Sequence, residues 1–102
     1  MANKKVEIIV HAAAGEEIYI CGNIPQLGNW DPKKALALKK VNDGEYSITK
    51  MLPEGQMIQF KFLCAKDWKN VEKGMYGEEL DNHILFLPVS EPQVYGVDKF
   101  GK

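Results

Sequence analysis

Apolar and polar positions alternate with a period of two along much of this chain. Val6, Ile8 and Val10 fall on one side, with Glu7, Ile9 and His11 on the other, the pattern of a strand with one buried face. Gly15-Glu16 predicts a turn into a second run, Glu17-Ile18-Tyr19-Ile20-Cys21. Leu36 to Leu38, Glu45 to Met51 and Met57 to Leu63 read as further extended segments, punctuated by Asn42-Asp43-Gly44 and Pro53-Glu54-Gly55-Gln56. A long excursion follows from Ala65 to His83, with a short strand around Val71-Glu72 and then a loop. Beyond it come Ile84-Leu85-Phe86-Leu87 and a last edge strand at Val94-Tyr95-Gly96-Val97-Asp98. Only Pro32-Lys33-Lys34-Ala35 suggests a helical turn, with Asp31 as its cap and Pro32 in first position. No segment sustains a helical period, so the pattern predicts an all-β sandwich of two sheets.

Length and charge narrow the function classes. With 102 residues the chain can bury one core, which makes residues 1–102 a single domain. Thirteen basic and 14 acidic residues are spread along it, with basic pairs only at Lys4-Lys5, Lys33-Lys34 and Lys39-Lys40. That distribution carries no footprint for nucleic acid or an anionic membrane. The longest apolar runs fall far short of a bilayer span, and Met1 to Lys5 has no apolar stretch of signal-peptide type. The segment as given reads as soluble, as would a domain cut from an exported protein.

Candidate chemistry is sparse. Cys21 and Cys64, each ending an apolar run, cannot make a disulfide framework or a four-ligand metal site, and are expected to be buried thiols. His11 and His83 are far apart and lack neighbouring ligand partners, so no metal, cofactor or catalytic histidine is expected. Glu72 with Asp81, or Asp31 with Asp67, are conceivable acid–base pairs. Glycoside cleavage, however, needs two carboxyls across a cleft that a sandwich of this size has little material to build. No Gly-rich phosphate loop or Ser/His/Asp order is evident. The expectation is a non-catalytic module.

The informative residues are aromatic. Both tryptophans lie in turn-rich surroundings, Asn29-Trp30-Asp31 and Asp67-Trp68-Lys69. In Gly22-Asn23-Ile24-Pro25-Gln26-Leu27-Gly28-Asn29-Trp30-Asp31-Pro32, glycines and prolines break regular structure while Asn23, Asn29 and Asp31 supply side-chain bonds to the backbone. A ring held out by such a loop suits the apolar C–H face of a sugar, and packing under a loop is the competing reading. Lys61 lies between Phe60 and Phe62 and projects to the opposite face if those rings enter the core. Glu72 and Asn82 flank the excursion and could present a carboxylate and an amide to vicinal hydroxyls, or serve as a solvated charge and a turn former.

The run Gly15 to Leu38, followed by Tyr46, Leu52-Pro53-Glu54-Gly55 and Gln59-Phe60-Lys61-Phe62, resembles the starch-binding domains of carbohydrate-binding module family 20. The resemblance implies an immunoglobulin-like antiparallel β-sandwich of about seven to eight short strands. It also implies binding of α-1,4-linked glucans and attachment to a catalytic domain, with the domain itself monomeric. In the family, two inclined tryptophans work with a lysine, a glutamate and an asparagine. Trp30 matches the first tryptophan, Lys61 the lysine, Glu72 the glutamate and Asn82 the asparagine, with His83 replacing the usual arginine. Val71 stands where the second tryptophan would be, so Trp68 is its substitute from the same loop. Tyr76 in the inserted stretch could add a contact. A second family site would need rings where this chain has Ala14 and Lys39 to Gly44, so one site per domain is implied.

A sandwich used for protein–protein contact, as a linker or docking module within a larger enzyme, is the alternative function. A glycogen-binding module of a regulatory subunit would share the ligand class. The compartment is open, with secretion or the cell surface favoured over the cytoplasm if the parent protein degrades starch.

Overall fold

The computed structural model describes residues 3–12 and 17–101. Among these the order is β1 (Asn3–His11), β2 (Tyr19–Gly22), β3 (Leu36–Ala37), β4 (Lys39–Asn42), β5 (Glu45–Pro53), β6 (Ile58–Leu63), β7 (Glu72–Lys73), β8 (His83–Leu85), β9 (Gln93–Gly96) and β10 (Lys99–Phe100). One sheet runs β4-β5-β1-β9 and the other β3-β2-β6-β8, while β10 and β7 form a two-stranded ribbon. The all-β sandwich is the fold that the alternation predicts. The Gly15-Glu16 turn lies outside the described residues.

Alternation explains the core. In β1, Val6, Ile8 and Val10 are buried, and β1 pairs with β5 over nine residues from Asn3↔Pro53 to His11↔Glu45. That register brings Tyr46 and Leu52 inward from β5. In β6, Ile58, Phe60 and Phe62 are completely buried, each contributing roughly 1.5–3 kcal/mol of burial. Gln59, Lys61 and Leu63 consequently face the other way. On β2, Tyr19 and Cys21 share that outer face, because Tyr19 lies opposite Leu63 and Cys21 opposite Lys61. The outer face of the second sheet is the surface on which the candidate site is built.

Three details differ from the sequence pattern. There are ten strands among the described residues rather than seven or eight, because pairs as short as Leu36–Ala37, Glu72–Lys73 and Lys99–Phe100 carry no readable period. The segment Lys39–Asn42, which lies outside the extended runs read from the sequence, is a strand, β4. The pairing of β9 with β1 is parallel, since the chain crosses over to reach that edge, and a strand's own residues do not encode its partner's direction. Cys21 is a buried thiol, and burial, then the Asp31 carboxylate, pushes its pKa up. Cys64 is only half-buried, with its Sγ 4.0 Å from the Gly101 carbonyl oxygen.

Candidate functional site

The loop that carries Trp30 is held in an uncommon conformation. Gly28, Asn29 and Trp30 follow one another with φ of 89°, 51° and 62°, and a left-handed residue other than glycine costs roughly 1–2 kcal/mol. Hydrogen bonds fix this geometry: Trp30 N–H donates to Gly22 O at 2.7 Å, Asn29 N–H to Ile24 O at 3.0 Å and Asp31 N–H to Gly28 O at 2.9 Å. Gly28 is required twice over, since a Cβ there would also lie 2.9 Å from Lys34 O. Gly22 lets the loop base press on β6, where a Cβ would meet Gln59 O at 2.6 Å.

Asn23 ties this loop to β6. Its backbone N–H donates to Gln59 O at 3.0 Å, its Oδ1 accepts from Gln59 N–H at 3.0 Å and its Nδ2 donates to Met57 O at 3.3 Å. Asp31 accepts from Lys33 N–H and caps the short 3-10 turn Pro32–Lys34, the single helical turn that the sequence suggests there. Asn29 acts through its backbone.

Trp68 reaches Trp30 from the other side. It opens a 3-10 turn, Trp68–Asn70, capped by Asp67, and rests on the small buried cluster of Cys21, Ala35 and Leu63, which Tyr19 also covers. Asn70 N–H is bonded to Asp67 O, Cys64 N–H to Asn70 O and Val71 N–H to Trp68 O, while Asn70 Nδ2 donates to Gly101 O at 2.9 Å. The ring centroids of Trp30 and Trp68 are 5.9 Å apart, with their planes inclined by 48°.

Both rings open into a groove of about 570 Å³, whose walls also include Lys61, Lys69, Val71, Lys73, Glu79 and Asn82. Lys61 projects outward as its position between two core phenylalanines requires, and its Nζ donates to Leu80 O at 2.6 Å. Asn82 Nδ2 donates to Gln59 Oε1 at 3.0 Å. Of the five residues singled out by sequence, the structure therefore brings together Trp30, Lys61, Trp68 and Asn82.

Glu72 is placed elsewhere. It is 1% exposed, and its Oε1 accepts from Phe62 N–H at 3.0 Å and lies 2.8 Å from His83 Nε2. The reason is strand alternation: Val71 and Lys73 turn to the groove, so Glu72 between them turns inward. His83, read from sequence as lacking a partner, is that carboxylate's partner. Its ring also joins Phe60, Phe62 and Tyr95, at centroid distances of 5.3, 5.2 and 4.8 Å. Tyr76 is 88% exposed and is not one of the groove-lining residues.

Lys69, Lys73 and Glu79 line the groove without having been anticipated. Lys73 was legible by alternation from Val71, but nothing in the sequence separates Glu79 from Glu78. Lys73 Nζ pairs with the Glu79 carboxylate. The hydrogen bond from Lys73 and then its charge hold the Glu79 carboxyl below its ordinary value.

The family model of the starch-binding domain matches residues 4–91. The chain belongs to the starch-binding domain family. This domain is 37% identical over 81 residues to a cyclomaltodextrin glucanotransferase of Geobacillus stearothermophilus, covering 74% of the domain and 11% of that enzyme. It is 42% identical over 68 residues to an amylopullulanase of Thermoanaerobacter thermohydrosulfuricus, covering 67% of the domain and 4% of that protein. The domain thus spans a small part of these relatives. Among solved structures, the family 20 module of the maltotetraose-forming amylase from Pseudomonas saccharophila superposes with a TM-score of 0.61 at 21% identity, covering 89% of the domain and 99% of that chain. A glycoside hydrolase family 15 glucoamylase from Hypocrea jecorina gives 0.69 at 19% identity over 97% of the domain and 18% of that chain. These superpositions establish the sandwich fold. The starch-binding domain is a non-catalytic module, and membership assigns it to glucan binding in general terms.

Proposed function

We propose that residues 1–102 form one binding domain that holds α-1,4-linked glucans such as starch, glycogen, maltooligosaccharides and cyclodextrins, and tethers an attached protein or enzyme to polysaccharide. The observation that carries this reading is the inclined pair Trp30 and Trp68, 5.9 Å apart at 48°. An α-1,4 glucan curves, so successive glucose units turn their faces, and two tilted rings meet successive units where a flat platform would meet one. Stacking contributes about 0.5–1.5 kcal/mol per ring beyond the burial of area. Lys61 and Asn82 set the register by bonding hydroxyls, with a modest net gain because water is displaced from both partners. Glu72 braces the floor of the site from beneath.

Ala14, which lies outside the described residues, and the ring-free stretch Lys39 to Gly44 leave one site per domain in this reading. Glucan bridging would then need tandem copies. Trp30→Ala should abolish retention on insoluble starch without unfolding the domain, and unchanged retention of the folded variant would remove the proposal. Gel retardation in glycogen or amylopectin separates it from a protein-contact module, which would migrate unaltered.

A further inference from the structure

The walls of the groove hold one carboxylate, and it is not the one that strand alternation buried. Glu72 is 1% exposed and its Oε1 is already shared by Phe62 N–H and His83. Its Oε2 has no hydrogen-bond partner among the described residues but is itself buried, out of reach of a sugar hydroxyl in the groove. Glu79, by contrast, lines the groove together with Lys73. The two residues face each other across an antiparallel bridge, which puts their side chains on the same side. The neighbouring Glu78 is committed elsewhere, since its Oε1 accepts from Tyr76 N–H at 3.0 Å.

We propose that Glu79, braced by Lys73, is the carboxylate that accepts the vicinal hydroxyls of a glucose unit lying in the groove, and so sets which sugar positions the domain reads. The assignment rests on the α-glucan reading of the same groove. Its chemistry is complementary to a diol. An ionised carboxylate only accepts, an ammonium only donates, and each hydroxyl of a diol does both. Glu79 Oε1 pairs with Lys73 Nζ, and among the described residues Oε2 has no hydrogen-bond partner, so it is available to a hydroxyl. The remaining Lys73 protons can donate to the neighbouring diol oxygen. The Lys73 hydrogen bond and charge, with a further contribution from Lys61, keep the Glu79 carboxyl below its ordinary value of 4.5. The acceptor is therefore ionised at neutral and mildly acid pH, and charge-assisted bonds of this type are roughly twice as strong as neutral ones.

Titration calorimetry with maltoheptaose on the wild type, Glu79→Gln, Glu72→Gln and Trp30→Ala tests this, together with maltooligosaccharides deoxygenated at O2 and O3. Glu79→Gln should bind about 3- to 10-fold more weakly, with thermal unfolding unchanged because the side chain is exposed. Wild type should prefer the parent sugar over the deoxy analogues, and that preference should collapse in Glu79→Gln, a coupling that a merely structural role would not produce. Folded Glu72→Gln should bind like wild type. Binding by Glu79→Gln within twofold of wild type, while Trp30→Ala no longer binds, would overturn the assignment and leave the α-glucan reading standing. Wild-type binding by Trp30→Ala would overturn both.

Discussion

The two walls of the groove are built in opposite ways. The Trp30 wall is a strained loop in which Gly22, Asn23 and Gly28 each occupy a position that few other residues could fill. The facing wall, from Trp68 to Asn82, is held by ordinary turn and bridge bonds, by one small apolar patch and by contacts of long side chains, Lys61 with Leu80 O and Lys73 with Glu79. One wall depends on left-handed backbone that few residues adopt, and the other does not. The first is therefore costly to alter and the second more open to substitution.

Substitutions in the two walls should accordingly fail differently. The largest effect is expected beneath the second wall, where His83→Ala would leave the buried Glu72 side chain with Phe62 N–H as its remaining partner. Removing a partner from a buried polar group costs about 1–3 kcal/mol, and loss of the ring from Phe60, Phe62 and Tyr95 adds to it; urea unfolding measures the sum, while whatever remains folded should still bind glucan. A stability loss within experimental error would show that Glu72 and His83 are not coupled. Asn23→Ala should cost about 1–3 kcal/mol, because it removes two side-chain bonds and strands the half-buried Gln59 N–H of β6. It should also weaken glucan binding by loosening the Trp30 loop, and full affinity with lowered stability would detach the loop's order from its function.

Gly28→Ala should cost about 1–2 kcal/mol from the left-handed backbone alone, read as a lowered midpoint in thermal unfolding. In the second wall, Lys69→Ala should leave stability unchanged within about 0.5 kcal/mol and alter affinity little. The pH profile sharpens the contrast further. The folded Glu79 carboxyl lies below 4.5, so the contribution of its pair with Lys73 is fully present above that value and is lost as pH falls through the lower folded value. Glucan affinity should therefore be flat through neutrality and fall only on the acid side of 4.5. A decline centred near pH 6.5 would point to a histidine instead.

The same contrast decides what the sequence made legible. The Trp30 loop could be read because glycine, proline and asparagine at fixed offsets are demanded by turn geometry, and Lys61 could be placed because two core phenylalanines force it outward. The sandwich followed from alternation in β1, β5 and β6. Two-residue strands such as β7 and β10 have no period to read, and the parallel docking of β9 on β1 depends on a crossover rather than on its residues. The burial of Glu72 is the instructive case. Taken alone it resembles a surface carboxylate, and only the knowledge that Val71 and Lys73 face the groove turns it inward. Glu79 reached the groove through an inserted segment in which charged residues follow one another without distinguishing spacing.

If Trp30 and Trp68 act together on one curved glucan, full affinity needs both rings. The chain has two tryptophans, so Trp68→Ala leaves Trp30 as sole fluorescent reporter. A maltoheptaose titration followed by tryptophan fluorescence in wild type and Trp68→Ala is therefore the most direct test, with cyclodextrin as a curved control. Trp68→Ala should stay folded and bind at least about tenfold more weakly, a loss of roughly 1.4 kcal/mol. Saturation of the Trp30 signal at wild-type concentrations of both ligands would contradict it.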